Sequence, residues 1–413
     1  MTAAEQVTPG PARLTTSVVR ELSHLEALVP EWRELNEKAR AGCLFLGPEW
    51  LMPWWKHFGG GRALRVICVR DGHQLVGLLP LFLETVRYGG VPARRLAFLG
   101  DGATGCDYLD LIADPGGEME VLEAALGQLS ALDWDVCDLD GLWRESPTAL
   151  QLSQRFPAGR ASGGVVRDGR LRYVCPHIPL RGSWEQYLDG LGRKENLKRR
   201  EKWLGRQPGV SIVCGRTVEE AVKGCDEFLG LHRARWAVDG GSDGLADERH
   251  ENFHRDAVKL LAGRGWLRMY TLYAARRPVA SVYGVVHRGK FLYYQSGFDP
   301  AWGNKSVGLV LLARTVQDAY AEGLREFDFL RGNEGYKAEW SRGERWTIQL
   351  RLWRGVRGRL ARAGHEATLF GRETVKAALP KDAIETVKKA RRLLRAPRVD
   401  GETHVEAALR LLR

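Results

Sequence analysis

No stretch of these 413 residues is long and apolar enough to cross a bilayer as a helix. The longest strongly apolar run, Leu75 to Leu83, is nine residues and contains Pro80, where a spanning helix needs about 20. Cysteine is sparse: seven residues, at 43, 68, 106, 137, 175, 214 and 225, none spaced C-x-x-C. An odd, scattered set argues against a disulfide framework or a zinc knuckle, and most lie in apolar runs as small hydrophobes. Also missing is a basic stretch followed by an apolar one near Met1, so a cytoplasmic protein of a reducing compartment is expected. Most of the chain lacks a charge excess too. Of 62 basic and 51 acidic residues, 16 and 7 fall between 351 and 413. The first 350 residues are therefore nearly neutral, which disfavours a nucleic-acid-binding core and leaves a basic tail.

What is present is globular: 44% hydrophobic and 27% charged residues. Leu22, Leu25, Leu28, Trp32 and Leu35 recur at helical spacing. Leu64 to Val69 and Gln74 to Leu83 read as a hairpin about Asp71-Gly72. A further strand, a glycine-rich loop, a strand over 108–112, a helix over 118–132 and the strand 135–140 follow. The second half repeats this grammar. A basic helix over 184–203 and helices over 218–236 and 252–262 precede strands at 267–273, 279–287 and 291–296; a helix over 306–322 and a strand over 326–330 follow. The closing strands look alike, Asp135-Val136-Cys137-Asp138-Leu139-Asp140-Gly141 against Glu326-Phe327-Asp328-Phe329-Leu330-Arg331-Gly332. An internally duplicated α/β unit of about 150 residues is predicted, within ordinary domain size. Its boundary is expected between Arg155 and Asp168, where Pro157, Gly159, Gly163 and Gly164 cluster.

The richest segment chemically is 291–322. A strand ending at Gly297, a loop, and Lys305-Ser306-Val307-Gly308-Leu309-Val310 opening a helix predict an anion site. Free amides and the helix dipole converge there, Gly308 allows close approach and Lys305 adds positive charge. His232 and Trp236, four apart, share a helix face that can line an acceptor pocket or simply pack. His250-Glu251-Asn252-Phe253-His254 satisfies H-E-x-x-H, but no third ligand is identifiable. Gly100-Asp101-Gly102-Ala103-Thr104-Gly105 is a literal G-x-G-x-x-G with no helix after it, hence a structural loop. Seven basic residues between 192 and 206 form a charged helix face able to gather phosphates. The fourteen tryptophans sit mostly in apolar patterns and read as core.

Lys305-x-x-Gly308-x-Val310 resembles the [QR]-x-x-G-x-[GA] strand–helix junction of Gcn5-related N-acetyltransferases, with Lys and Val as departures. Pro48-Glu49-Trp50-Leu51, Trp54-Trp55-Lys56-His57-Phe58, Gly77-Leu78-Leu79-Pro80-Leu81, Gln295-Ser296-Gly297-Phe298-Asp299-Pro300, Phe327-Asp328-Phe329-Leu330-Arg331-Gly332 and Tyr336-Lys337-Ala338-Glu339-Trp340 come in order. Together they resemble the CelD-type acetyltransferase branch, similar in turn to Fem-type aminoacyltransferases with two tandem domains, over roughly residues 20–350. The resemblance implies a coenzyme A site at Gln295, Ser296 and 305–310, with acetyl-CoA as co-substrate and no metal. It also implies Lys337 as oxyanion stabiliser, since a cation near developing negative charge favours the transition state. Asp328 or His232 would act on the amine, and Trp236, Arg331 and Tyr336 would meet the acceptor.

An α/β (α+β) protein is therefore expected: two tandem Gcn5-related domains with mixed, mostly antiparallel sheets and a basic helical tail. The divisions are a flexible leader (1–17), a degenerate first domain (18–165), an acyl-donor-binding second domain (166–355) and the tail (356–413). The expected reaction is N-acyl transfer from acyl-CoA to an amine on a small molecule or a glycan. The alternatives are a Fem-type aminoacyl-tRNA-dependent transferase acting on a cell-envelope precursor, the only reading with a nucleic-acid partner, and a non-catalytic envelope scaffold. The basic tail offers peripheral membrane contact.

Overall fold

A computed structural model describes residues 14–378 except 103, 159–160 and 240–246. The first half runs β1 (Thr15–Val19), α1 (Leu22–Lys38), α2 (Pro48–Phe58), β2 (Ala63–Leu64), β3 (Val66–Asp71), β4 (Gln74–Leu79), β5 (Leu81–Tyr88), β6 (Val91–Phe98), β7 (Ile112–Ala113), α3 (Glu118–Ala131), β8 (Val136–Trp143) and α4 (Pro147–Arg155). A link, β9 (Ala161–Ser162) and β10 (Val165–Pro179), leads to the second half. This runs α5 (Trp184–Gly190), α6 (Lys194–Leu204), β11 (Ser211–Gly215), α7 (Val218–Asp239), α8 (Glu248–Gly263), β12 (Leu267–Ala274), β13 (Arg277–His287), β14 (Lys290–Phe298), α9 (Val307–Ala321), β15 (Glu326–Asp328), α10 (Gly335–Trp340), β16 (Gly343–Arg354) and α11 (Gly355–Ala378).

From β1 and from β11 each half has a strand, two helices, antiparallel strands, a helix and a closing strand that pairs in parallel with an earlier one, the first half carrying in addition β2, the hairpin β5–β6 and the short β7. In the first half Arg95–Ala97 of β6 pair in parallel with Val136–Asp138 of β8. In the second, Lys290–Leu292 of β14 pair in parallel with Glu326–Asp328 of β15. The expected α/β duplication is thus present, with mixed, mostly antiparallel pairing. The halves share one large sheet, ordered β11-β12-β13-β14-β15-β10-β16-β8-β6-β5-β2, while β1, β3, β4 and β7 form a small second sheet. The junction is β16, antiparallel to β10 on one side and to β8 on the other.

Packing follows the pattern read from the chain. Leu25, Leu28, Trp32 and Leu35 of α1 are buried with Trp50 and Trp54 of α2, and the same core takes in Phe253, Val258 and Leu261 of α8 from the second half. A second core gathers α9, β12–β15 and Trp340. Most tryptophans assigned to packing do pack.

Three expectations change. Thr15–Val19 is not leader but a strand on β3, running Thr15 opposite Arg70 to Val19 opposite Val66. The helix expected over 184–203 is two, broken at Gly192, whose φ of 65° lies in the left-handed region glycine tolerates. The strand expected over 108–112 is a bridge at Leu109 and the short β7, because Tyr108 has φ 61°. Of the basic tail, α11 is helical as expected; residues from 379 on, like 1–13, lie outside the described residues.

Candidate functional site

Along β14 the pairing with β13 slips once: Gln295 faces Tyr283 but Tyr293 faces Gly284, leaving Tyr294 as the extra residue of a bulge. Bulges bend a strand and raise its twist. On its other edge β14 meets β15 only as far as Leu292 opposite Asp328. Beyond that point no ladder joins the two strands, and Tyr293 to Phe298 of β14 continue unpaired on that edge.

The chain leaves β14 through a 3₁₀ turn, Pro300–Lys305, and enters α9 at Ser306, which has a φ of 58°. Val307 and Val310 are buried in the second core and Leu309 packs against it. Gly308 faces outward, and a Cβ there would meet nothing within 4 Å. Val310 N–H donates to the Ser306 carbonyl at 3.1 Å, so the amides of 307–309 precede the first helical donor and are directed out of the helix end. The Lys305 ammonium lies 5.2 Å from the centre of the Trp203 ring, and α6 packs on α9. Helix end, lysine and basic helix are thus brought together, as an anion site requires. Nothing comparable stands in the first half. There α3 begins with Glu118 and Glu120 in its first turn, charges that repel a phosphate.

Tyr336 and Lys337 belong to α10. Tyr336 and Ser296 are both near enough to the Tyr293 phenol to influence its ionisation. Burial first, then the Tyr293 and Glu334 oxygens, hold the Tyr336 phenol well above its usual range. Gln295 Oε1 accepts from the Ser296 N–H at 3.3 Å. Lys337 is buried; its Nζ donates to the Arg331 carbonyl at 2.7 Å and lies 3.1 Å from Glu334 Oε2. It therefore fixes the 328–335 loop as well as placing a positive charge beside it.

Asp328 is fully buried. Its Oδ1 accepts the Leu330 N–H at 2.8 Å, and Oδ2 accepts from the Tyr108 hydroxyl at 2.9 Å and from Arg345 Nη1 at 3.2 Å. Burial pushes its carboxyl up to about 6, against the pull of Arg345. Asp328 thus caps the adjoining loop from within the core. Arg331, expected at the acceptor, joins the halves instead. Its N–H and Nε donate to Asp107 at 2.9 and 2.8 Å, an Nη donates to the Cys106 carbonyl, and its guanidinium stacks 4.1 Å from the Tyr173 ring.

His232 is buried on α7 against Phe228, ring centres 5.7 Å apart. Burial, with Arg235 nearby, lowers its pKa to about 4, so the imidazole is neutral near pH 7 and a weak base. The Trp236 side chain lies outside the described residues. The H-E-x-x-H helix is accounted for by packing. His250 Nδ1 is 2.7 Å from Asp247, Glu251 pairs with Arg233 and Arg255, and His254 is enclosed by Trp50, Phe253, Tyr283 and Tyr294. Among the described residues no three His, Cys, Asp or Glu converge as a metal requires.

Sequence reasoning passed over Asp107, Tyr108, Tyr293 and Arg345. Asp107 and Tyr108 follow a loop read as merely structural, and their partners are more than 200 residues away. For Tyr293 the signal was there: it lies two residues before Gln295 on a strand already singled out.

Residues 192–338 match the acetyltransferase (GNAT) domain family. No curated protein matches the sequence significantly. Among solved structures, FemX superposes with a TM-score of 0.53 at 12% identity, covering 77% of this chain and 95% of that one. A tandem GNAT protein from the clavulanic acid biosynthesis pathway gives 0.42 at 15% identity, covering 82% and 98%. The L-PGS of Bacillus licheniformis gives 0.45 at 13%, covering 79% and 97%.

Proposed function

We propose that this chain, a Gcn5-related acyltransferase related in fold to the Fem-type transferases, moves an acyl group from acyl-CoA to an amine. The observation carrying this reading is the start of α9, where the amides of Val307, Gly308 and Leu309 precede the first helical donor and Gly308 has open space beside it, next to Lys305 and the unpaired end of β14. A thioester donor has an anionic end and an extended chain. In this reading the pyrophosphate lies on the helix end beside Lys305, and the chain runs along Gln295 and Ser296.

The acceptor nitrogen attacks the thioester carbonyl carbon. A C–N bond forms, negative charge develops on the carbonyl oxygen, the C–S bond breaks and coenzyme A leaves as the thiol with the proton the nitrogen loses. Positive potential from Lys337 favours the intermediate oxyanion over the neutral carbonyl. Tyr336 meets the substrate beside Ser296. Asp328 and His232 position rather than abstract: the first holds the 328–331 turn, and the second packs where a Cβ on Gly297 would come within 3.0 Å of its backbone nitrogen. The amine's proton reaches the departing thiolate by way of solvent, so no side-chain base is required. The acceptor class proposed is a small-molecule or glycan-linked amine in a cytoplasmic setting; among the described residues no helix is long and apolar enough to cross a membrane.

Calorimetric titration of acetyl-CoA into the wild type and Gly308→Glu tests the donor. The variant has room for its side chain and places a carboxylate on the helix end. Binding at micromolar concentration, weakened at least tenfold in the variant, supports the reading; absence of heat with the wild type overturns it. The second reading, aminoacyl-tRNA as donor, is favoured by the exposed Lys198, Arg199 and Lys202 on α6. It requires tRNA binding that falls steeply with salt, because released counterions drive such binding.

A further inference from the structure

Helix α11 is packed on one side and bare on the other. Gly358 and Ala361 are buried and Gly364 lies close to the sheet; a Cβ on Gly358 would come within 2.5 Å of the Asp135 carbonyl, and one on Gly364 within 2.5 Å of that of Tyr88. These small residues seat the helix on β5, β6 and β16. The opposite side carries Val356, Leu360, Ala363, Ala367, Phe370 and Thr374, every one exposed. Val356 is 68%, Leu360 56% and Phe370 74% accessible. Single exposed apolar residues need no explanation, whereas a continuous row of them does.

The spacing in that row is 4, 3, 4, 3, 4, the seam of a coiled coil rather than of a helix lying on a sheet. From Val356 to Thr374 it extends about 27 Å at 1.5 Å per residue. Along one flank, at intervals of seven, stand Arg359, Glu366 and Glu373. Glu366 is held at 2.8 Å by Arg362 on its own helix. Arg359 and Glu373 have no ion-pair partner among the described residues; the Arg359 Nε donates at 3.3 Å to the Gly355 carbonyl. A basic residue at one end and an acidic one at the other, on one flank, is the pattern that complements itself when the helix is turned end for end.

We propose that this face pairs with the same face of a second copy of this chain, the two α11 helices antiparallel about a twofold axis. Leu360 then packs beside the partner's Phe370, Ala363 beside the partner's Ala367, and Arg359 faces the partner's Glu373. The large residues close the two ends, and the alanines let the helices approach at the middle. Isologous pairing repeats every contact twice, so each charge pair counts double. A parallel pair would instead set Arg359 against Arg359 and Glu373 against Glu373.

Sedimentation equilibrium on the full chain, from 1 to 100 μM, tests this. The wild type is expected to be a dimer over the upper part of that range. Leu360→Glu/Phe370→Glu is expected to be monomeric with an unchanged circular dichroism spectrum, both side chains being exposed. Arg359→Glu alone is expected to weaken the dimer at least tenfold, and Arg359→Glu/Glu373→Arg to restore it. A wild type that stays monomeric throughout overturns the proposal. If it also floats with phosphatidylglycerol vesicles, and the Leu360/Phe370 variant does not, the face is a lipid contact. A dimer indifferent to all three variants overturns it equally, since its interface is then elsewhere.

Discussion

Asp110 and Asp328 have the same difficulty: a carboxyl taken wholly out of water. Asp110 is held by the Ser146 and Thr148 hydroxyls and the Leu111 N–H, and burial raises its pKa to about 6. A folded-state pKa above the unfolded value means that the native state binds the proton more tightly. Its contribution is therefore fully present below about pH 4 and is lost as pH rises to about 6. Replacing it by a neutral isostere should remove this cost. Asp110→Asn is expected to be little different from the wild type at pH 4 and more stable by about 3 kcal/mol at pH 7.5, following about 1.4 kcal/mol per unit. Urea unfolding at both pH values measures the difference, and equal differences at the two would refute it. Buried histidines act with the opposite slope, since His254, lowered to about 3 by burial, favours folding less as pH falls below about 6.5. None of these shifts was legible in the chain. A lone Asp in a strand-like run shows its type but not its dehydration.

At the scale of elements the sequence was more open. Helical spacing identified α1, and the strand–Gly–helix grammar identified the β14–α9 junction down to the outward face of Gly308. What escaped were the breaks, which depend on single backbone angles: Gly192 between α5 and α6, and the positive φ of Tyr108 before β7. The turn between β15 and α10 shows how local such control is. Gly332 has φ 134°, and a Cβ there would lie 2.1 Å from Glu334 Oε2 and 2.6 Å from Lys337 Nζ. Gly332→Ala should displace the lysine from the Arg331 carbonyl and cost about 2 kcal/mol, the scale of a strained backbone position. It should also lower acyl transfer more than stability alone explains. Gly335→Ala, with nothing within 4 Å of the new Cβ, is the control. Equal melting temperatures for the two variants would show that the turn is not so constrained.

Across the whole molecule the duplication could be seen in the repeated order of elements, but the joining of the copies could not. It rests on contacts distant in sequence: Arg331 with Asp107, Tyr108 with Asp328, and the insertion of β16 between β10 and β8. A sheet continuous through both halves predicts one unfolding transition, seen alike by circular dichroism and tryptophan fluorescence. Asp107→Ala leaves the half-buried Arg331 without its counter-charge. It should lower stability by about 3 kcal/mol, the low end for breaking a buried pair, while keeping a single transition. Two separated transitions in the variant would mean that the halves are held together mainly by this pair.

The position of β16 bears on how the protein is made. On the ribosome the strands of the first half emerge well before their last neighbour: Val136 to Trp143 of β8 must wait for Thr347 to Trp353, some two hundred residues later. Until then β8 presents a bare row of amides and carbonyls, the kind of edge to which other strands attach. Translation itself therefore imposes a waiting period on the nascent chain. Conditions that slow synthesis past residue 143, or stop it before 343, should produce aggregates rather than a soluble first half.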